Sequence, residues 1–177
     1  EYGKGSKFFF ELNQLVTDSM TIEEFNKQQK QNQNPKQRIC AFTAPDARLL
    51  VVDDNIMNRK VFAKLLEPTK MQIDQAESGF ECIDKMKETR YDIVFLDHMM
   101  PQMDGTETLH HLKKLQGHPN ENAVIIALTA NAFVGARQQY INDGFDDFLP
   151  KPIIYKGAEK LILRFLPSQL VERFEEE

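Results

Sequence analysis

From Arg48 onward the chain alternates short apolar runs with stretches of helical periodicity, and this alternation constrains the fold more than any other feature. Leu49-Leu50-Val51-Val52 reads as a buried strand stopped by Asp53-Asp54-Asn55. The spacing then predicts a helix with Val61, Phe62, Leu65 and Leu66 facing inward, ended before Pro68. Gln72-Ile73-Asp74-Gln75-Ala76 is a weaker strand, and Phe80, Ile83 and Met86 mark a second helix. Asp92-Ile93-Val94-Phe95-Leu96 is a strand ending at Asp97; Leu109, Leu112 and Leu115 mark a third helix. Ala123-Val124-Ile125-Ile126-Ala127-Leu128 is a fourth strand ending at Thr129, followed by a helix from Phe133 to Asp143. Asp147-Phe148-Leu149 is a short fifth strand, and Tyr155 to about Phe165 the last long helix, continued after Pro167 by a short one through Phe174. Five such units imply an α/β fold: a parallel sheet with helices on both faces. Right-handed crossovers leave few topologies, and a doubly wound, five-stranded, flavodoxin-like sheet is the expected one.

Ahead of Arg48 the text is different. Residues 1–45 carry six basic and five acidic side chains, whereas 46–177 carry 16 and 22. Asn26 to Gln37 is almost entirely Asn, Gln and Lys, with little to bury, and reads as a solvated linker. The expected division is an N-terminal segment 1–14, a linker 15–45, a domain 46–166 and an extension 167–177. The chain opens Glu1-Tyr2-Gly3-Lys4, which reads as a piece of something longer. A net charge of −5 argues against broad nucleic-acid binding. No apolar run approaches the roughly 18 residues of a membrane span. Cys40 and Cys82 are too few for a disulfide framework or a zinc site and read as free thiols in a reducing, cytoplasmic setting, a membrane anchor being left to a parent protein.

In an open parallel sheet, ligands sit outside the carboxyl ends of the strands. Here those ends carry Asp53 and Asp54, Asp97, Thr129, and Lys151-Pro152. All of these side chains should therefore reach one rim. Three carboxylates on one rim repel, each close pair by about 4 kcal/mol at 4 Å and an effective dielectric near 20. Either one carboxyl holds a proton or a cation binds. Hard oxygen donors without Cys or His suit Mg²⁺, with Mn²⁺ as a substitute. A hydroxyl and an ammonium beside the metal make a cradle for a phosphoryl group, and a carboxylate in such a cradle can be the nucleophile. Taken alone, Asp53 and Asp54 could cap the first helix, and Thr129 or its neighbour Asn131 the fourth.

Val51-Val52-Asp53-Asp54-Asn55, Phe95-Leu96-Asp97-His98-Met99-Met100-Pro101-Gln102-Met103-Asp104-Gly105, Ala127-Leu128-Thr129-Ala130 and Phe148-Leu149-Pro150-Lys151-Pro152 together resemble a two-component receiver domain. The resemblance implies that Asp97 accepts a phosphoryl group from a phosphohistidine on a partner kinase or phosphotransfer domain. It implies Mg²⁺ held by Asp54, Asp97 and the Met99 carbonyl, with Asp53 acting through water, and Thr129 and Lys151 on the phosphoryl oxygens. Phe148 matches an aromatic switch position that turns inward as Thr129 moves, and the Lys151–Pro152 peptide is expected to be cis. Tyr2 to Leu12 resembles the closing strand of a histidine-kinase ATP-binding domain, so the order kinase end, linker, receiver points to a hybrid histidine kinase. Such a piece lacks the ATP site and promotes only its own phosphorylation and dephosphorylation. Its isolated Phe8-Phe9-Phe10 is expected to be disordered, to dock on the receiver, or to pair with another copy through an open edge. Two rivals stay open: a haloacid-dehalogenase-type Mg²⁺ phosphatase, and a phosphorylation-independent interaction module. His98, His110, His111 and His118 read as solvated side chains, and Met99, Met100 and Met103 as apolar shielding.

Overall fold

The computed structural model describes residues 41–115, 117–130 and 136–173. Five strands form one all-parallel sheet: β2 (Arg48–Val52), β3 (Gln72–Ala76), β4 (Ile93–Asp97), β5 (Val124–Thr129) and β6 (Asp147–Pro150), in the order β3-β2-β4-β5-β6. Between and after them run α1 (Ile56–Leu66), α2 (Gly79–Glu88), α3 (Gly105–Lys114), α4 (Ala136–Asp143) and α5 (Tyr155–Phe165). This is the expected doubly wound arrangement.

Strand alternation divides the apolar residues into two cores, one per face. Leu49 and Val51 join Phe62, Leu66, Phe95, Ile126, Leu128, Leu149 and Ile162, so α1 and α5 cover that face. Leu50 and Val52 join Cys82, Met86, Val94, Leu96, Leu109, Leu112, Ala127 and Tyr140, so α2, α3 and α4 cover the other. Continuously apolar strands are what a sheet buried on both sides requires. On the first face, Phe62 and Phe95 pack ring to ring with centroids 4.7 Å apart.

α1, α2 and α3 each begin close behind a strand end, where a side chain caps them. Asn55 accepts from the Met57 amide at 2.9 Å, Ser78 from Glu81 at 3.2 Å, and Asp104 forms a capping box with Glu107. Gly105 lets α3 start against the end of β4: a Cβ there would lie 2.5 Å from the Asp97 carbonyl oxygen. Its own N–H donates to the His98 carbonyl at 3.0 Å.

Several expectations need correction. Val61 and Phe80, expected inside, are 56% and 51% exposed. The inward stripes run Arg59-Phe62-Leu66 on α1 and Gly79-Cys82-Met86 on α2. An apolar residue beside a stripe is easily mistaken for part of it. The described part of the fourth helix begins at Ala136; its expected start at Phe133 lies outside the described residues. Among the described residues the short helix expected after Pro167 is a single 3₁₀ turn, and its expected end at Phe174 lies outside them. That turn (Ser168–Leu170) leads into β7 (Glu172–Arg173), which pairs antiparallel with β1 (Phe42–Thr43). Thr43 Oγ1 donates to Glu172 Oε2 at 2.9 Å, and the Ala44 amide to the Thr69 carbonyl at 2.8 Å. Phe42 and Ala44 are fully buried in the α1/α5 core. The folded domain therefore takes in residues on both sides of the expected span 46–166. Among the described residues no helix is long and apolar enough to cross a membrane.

Phe42→Ala should destabilise the domain by about 3–5 kcal/mol, the usual cost of deleting a buried Phe. Urea unfolding measures it. A loss below about 1 kcal/mol would return Phe42 to the linker.

Candidate functional site

Register decides which side chains meet. In the sheet Val52 pairs with Leu96, Asp97 with Leu128, and Thr129 with Pro150. Asp53 thus follows β2 beside Asp97, and Lys151 follows β6 one step past Thr129. The carboxylates of Asp53, Asp54 and Asp97 offer oxygens that all lie within 4.8 Å of one another. Asp53 and Asp97 are buried, at 1% and 4% exposure, whereas Asp54 faces solvent.

Lys151 reaches in from the far side of the rim. Its Nζ donates to Asp53 Oδ2 and to Asp97 Oδ2, each at 2.7 Å. The Lys151–Pro152 peptide is cis, as expected. Burial by itself would lower the Lys151 pKa, but the two carboxylates outweigh it and hold the ammonium above the ordinary lysine value. Burial lifts Asp97 above the ordinary aspartate value; the Lys151 bond and charge and the Met99 amide, 3.3 Å from Asp97 Oδ1, pull the other way, and Asp53 adds to the rise. One ammonium does not balance three carboxylates. No hydrogen bond or ion pair engages the Asp54 carboxylate among the described residues, so that edge of the cluster stays open.

Asp53 is fixed from its own side. Its Oδ1 accepts from the Asn55 amide at 2.9 Å, and Asn58 Nδ2 donates to both carboxylate oxygens at 3.0 and 3.1 Å. Buried Arg59 donates to the Asp53 carbonyl at 2.6 Å and lies 3.8 Å from Glu77. Asn55, not Asp53 or Asp54, caps α1. Thr129 is buried and accepts from the Tyr140 hydroxyl at 2.7 Å. Phe148 is half-buried and stacks on Tyr140, centroids 5.7 Å apart. The Met99 side chain is 69% exposed, while Met100 and Met103 are buried. His98 is not simply solvated: its ring meets Tyr140 edge-on at 5.4 Å.

The structure thus gathers Asp53, Asp54, Asp97 and Lys151 as the sequence suggests, and adds Asn58, Arg59 and Tyr140. Arg59 had a visible signal, a cation on the apolar stripe with Phe62 and Leu66. So had Tyr140, a phenol on a buried helix face, which needs a partner for its hydroxyl.

The sequence profile of the response regulator receiver domain matches residues 49–163. The chain is 33% identical over 123 residues to the signal transduction histidine-protein kinase BarA of Escherichia coli K12, covering 68% of this chain and 13% of BarA. It is 35% identical over 115 residues to hybrid signal transduction histidine kinase B of Dictyostelium discoideum, covering 60% of this chain and 6% of that protein. The matched stretch is thus a small part of these curated relatives. Among solved structures, the receiver domain of the Pseudomonas aeruginosa sensor histidine kinase PA1611, described with a magnesium ion coordinated in its active-site cleft, is similar at 26% identity and a TM-score of 0.60, over 67% of this chain and 96% of that one. The chemotaxis protein CheY4 of Vibrio cholerae is similar at 26% identity and a TM-score of 0.61, over 68% and 98%. These matches set aside the haloacid-dehalogenase alternative. With strand order, acidic cluster and profile in agreement, the chain belongs to the response regulator receiver family.

Proposed function

We propose that Asp97 is the phosphoryl acceptor of a phosphorelay and that the parent protein is a hybrid histidine kinase. The observation that carries the first reading is the Lys151 ammonium held between Asp53 and Asp97 beside the open carboxylate of Asp54. The hybrid parent is supported by relatives of that kind and by the expected order of kinase end, linker and receiver. Residues 1–14, on which the kinase resemblance rests, lie outside the described residues.

The donor set fits a hard dication. Three carboxylates against one ammonium leave an excess of negative charge, and all the donors are oxygens. Asp54 and Asp97 would hold Mg²⁺ directly with the Met99 carbonyl, and Asp53 through water; Mn²⁺ has the same ligand preference. Bound there, the ion offsets the charge of an incoming phosphoryl group.

The chain's own residues do the rest. An Asp97 carboxylate oxygen bonds to phosphorus as the bond from phosphorus to the donor imidazole nitrogen breaks, and the imidazole keeps that electron pair and takes up a proton. Lys151 balances charge on Asp97 and on the transferred oxygens, and Thr129 donates its hydroxyl to one of them. Phe148 follows the movement of Thr129. Hydrolysis or onward transfer to another histidine returns the free carboxylate. Ile56, Met57, Met99 and Ile154, each more than half exposed, follow the acidic and lysine positions by two or three residues. Such apolar groups beside a charged site suit docking of the protein that carries the donor histidine. Buried Cys82, its thiol pushed up to about 12 by burial and then by Glu81, fits a reducing, cytoplasmic setting.

Acetyl phosphate with Mg²⁺ should add the mass of one phosphoryl group to the wild type and none to Asp97→Asn, read by intact-protein mass spectrometry. Full modification of the Asn variant would refute the assignment. A second measurement concerns pH in EDTA. The folded Asp97 titrates above its unfolded value of 3.8, so its contribution is complete below that pH and is lost as pH rises through the folded pKa. Asp97→Asn should therefore raise the melting temperature by a few degrees at pH 7, with the gain shrinking toward pH 4. An Asn variant less stable at pH 7 would contradict the charge balance described.

A further inference from the structure

Tyr140 touches three functional positions at once. It lies on the inward side of α4 at 5% exposure and donates its hydroxyl to Thr129 Oγ1 at 2.7 Å. Its ring stacks on Phe148, centroids 5.7 Å apart at 22°, and meets His98, the residue after Asp97, edge-on at 5.4 Å. Phe145 closes a third side at 5.9 Å. A phenol held by three rings has little freedom to swing.

A threonine hydroxyl has one proton and two lone pairs. In its bond with Tyr140 the threonine accepts, so that bond does not draw on the threonine's own proton, the group a phosphoryl oxygen needs. A donor behind a hydroxyl also polarises it and strengthens the bond it gives. We propose that Tyr140 is a positioning residue for phosphoryl transfer: it orients the Thr129 hydroxyl and, through Thr129, sets the rate at which Asp97 is phosphorylated. The proposal rests on the reading of Asp97 and Thr129 given above. The simpler account is that Thr129 only satisfies a buried phenol. In that account, losing the Tyr140 hydroxyl changes stability and leaves the rate alone.

A double-mutant cycle on the phosphorylation rate separates the two. The full chain is phosphorylated with acetyl phosphate at saturating Mg²⁺ as wild type, Tyr140→Phe, Thr129→Ala and the double variant, with Mg²⁺ affinity measured on each. Tyr140→Phe keeps the ring and its three contacts. It should slow phosphorylation about three- to tenfold, the scale of one hydrogen bond, with Mg²⁺ affinity unchanged. In the Thr129→Ala background the same substitution should have almost no further effect on the rate. An unchanged rate in Tyr140→Phe, an equal loss in the Thr129→Ala background, or a loss of Mg²⁺ affinity in Tyr140→Phe would each overturn the proposal. A wild type that takes no phosphoryl group at Asp97 would overturn the reading of the site, and this proposal with it.

Discussion

The ammonium of Lys151 between Asp53 and Asp97 is the interaction around which the rim is organised. Two buried carboxylates side by side are costly without a cation, and Lys151 supplies one at 2.7 Å from each. The arrangement works only because β2, β4 and β6 end at matching heights in a parallel sheet, so that residues nearly a hundred positions apart close one ring of charge. Asp54, left facing solvent, keeps the cluster short of neutrality. On the proposed reading, that residual negative charge draws a dication, and the dication would in turn make the site tolerable to a phosphoryl group.

The same logic explains why the sheet is so uniformly apolar. Helices on both faces bury nearly all of the central strands β2, β4 and β5, and alternate side chains feed separate cores. The two cores meet the rim differently. The α1 side holds Asp53 through Asn58 and Arg59. The α4 side holds Thr129 through Tyr140. Each half of the site is thus tied to a different layer of packing, so a change of contact at the rim has a path into both helical layers.

β2, β4 and β5 were legible because each is a short apolar run stopped by a polar residue, and those stops bring Asp53, Asp97 and Thr129 to the rim. The helices were legible in place but less so in phase, as Val61 and Phe80 show: adjacent apolar residues make a stripe ambiguous by one position. The pairing of β1 with β7 left no local trace. Two residues at each end become strands only because they meet, and nothing in Phe42-Thr43 or Glu172-Arg173 alone announces it. The partners of the site residues were hidden for a related reason. Asn58 is an ordinary helix residue until the fold aims it, and the phenol of Tyr140 signals a need for a partner without showing which one.

The central claim is that these carboxylates form a site for one divalent ion at the phosphoryl acceptor. Diffraction from crystals grown with Mn²⁺ in place of Mg²⁺ tests it directly, because the anomalous signal marks the ion itself. The account predicts one strong peak within coordination distance of the Asp54 and Asp97 carboxylates. A map with no peak there, while Lys151 still spans Asp53 and Asp97, would contradict it.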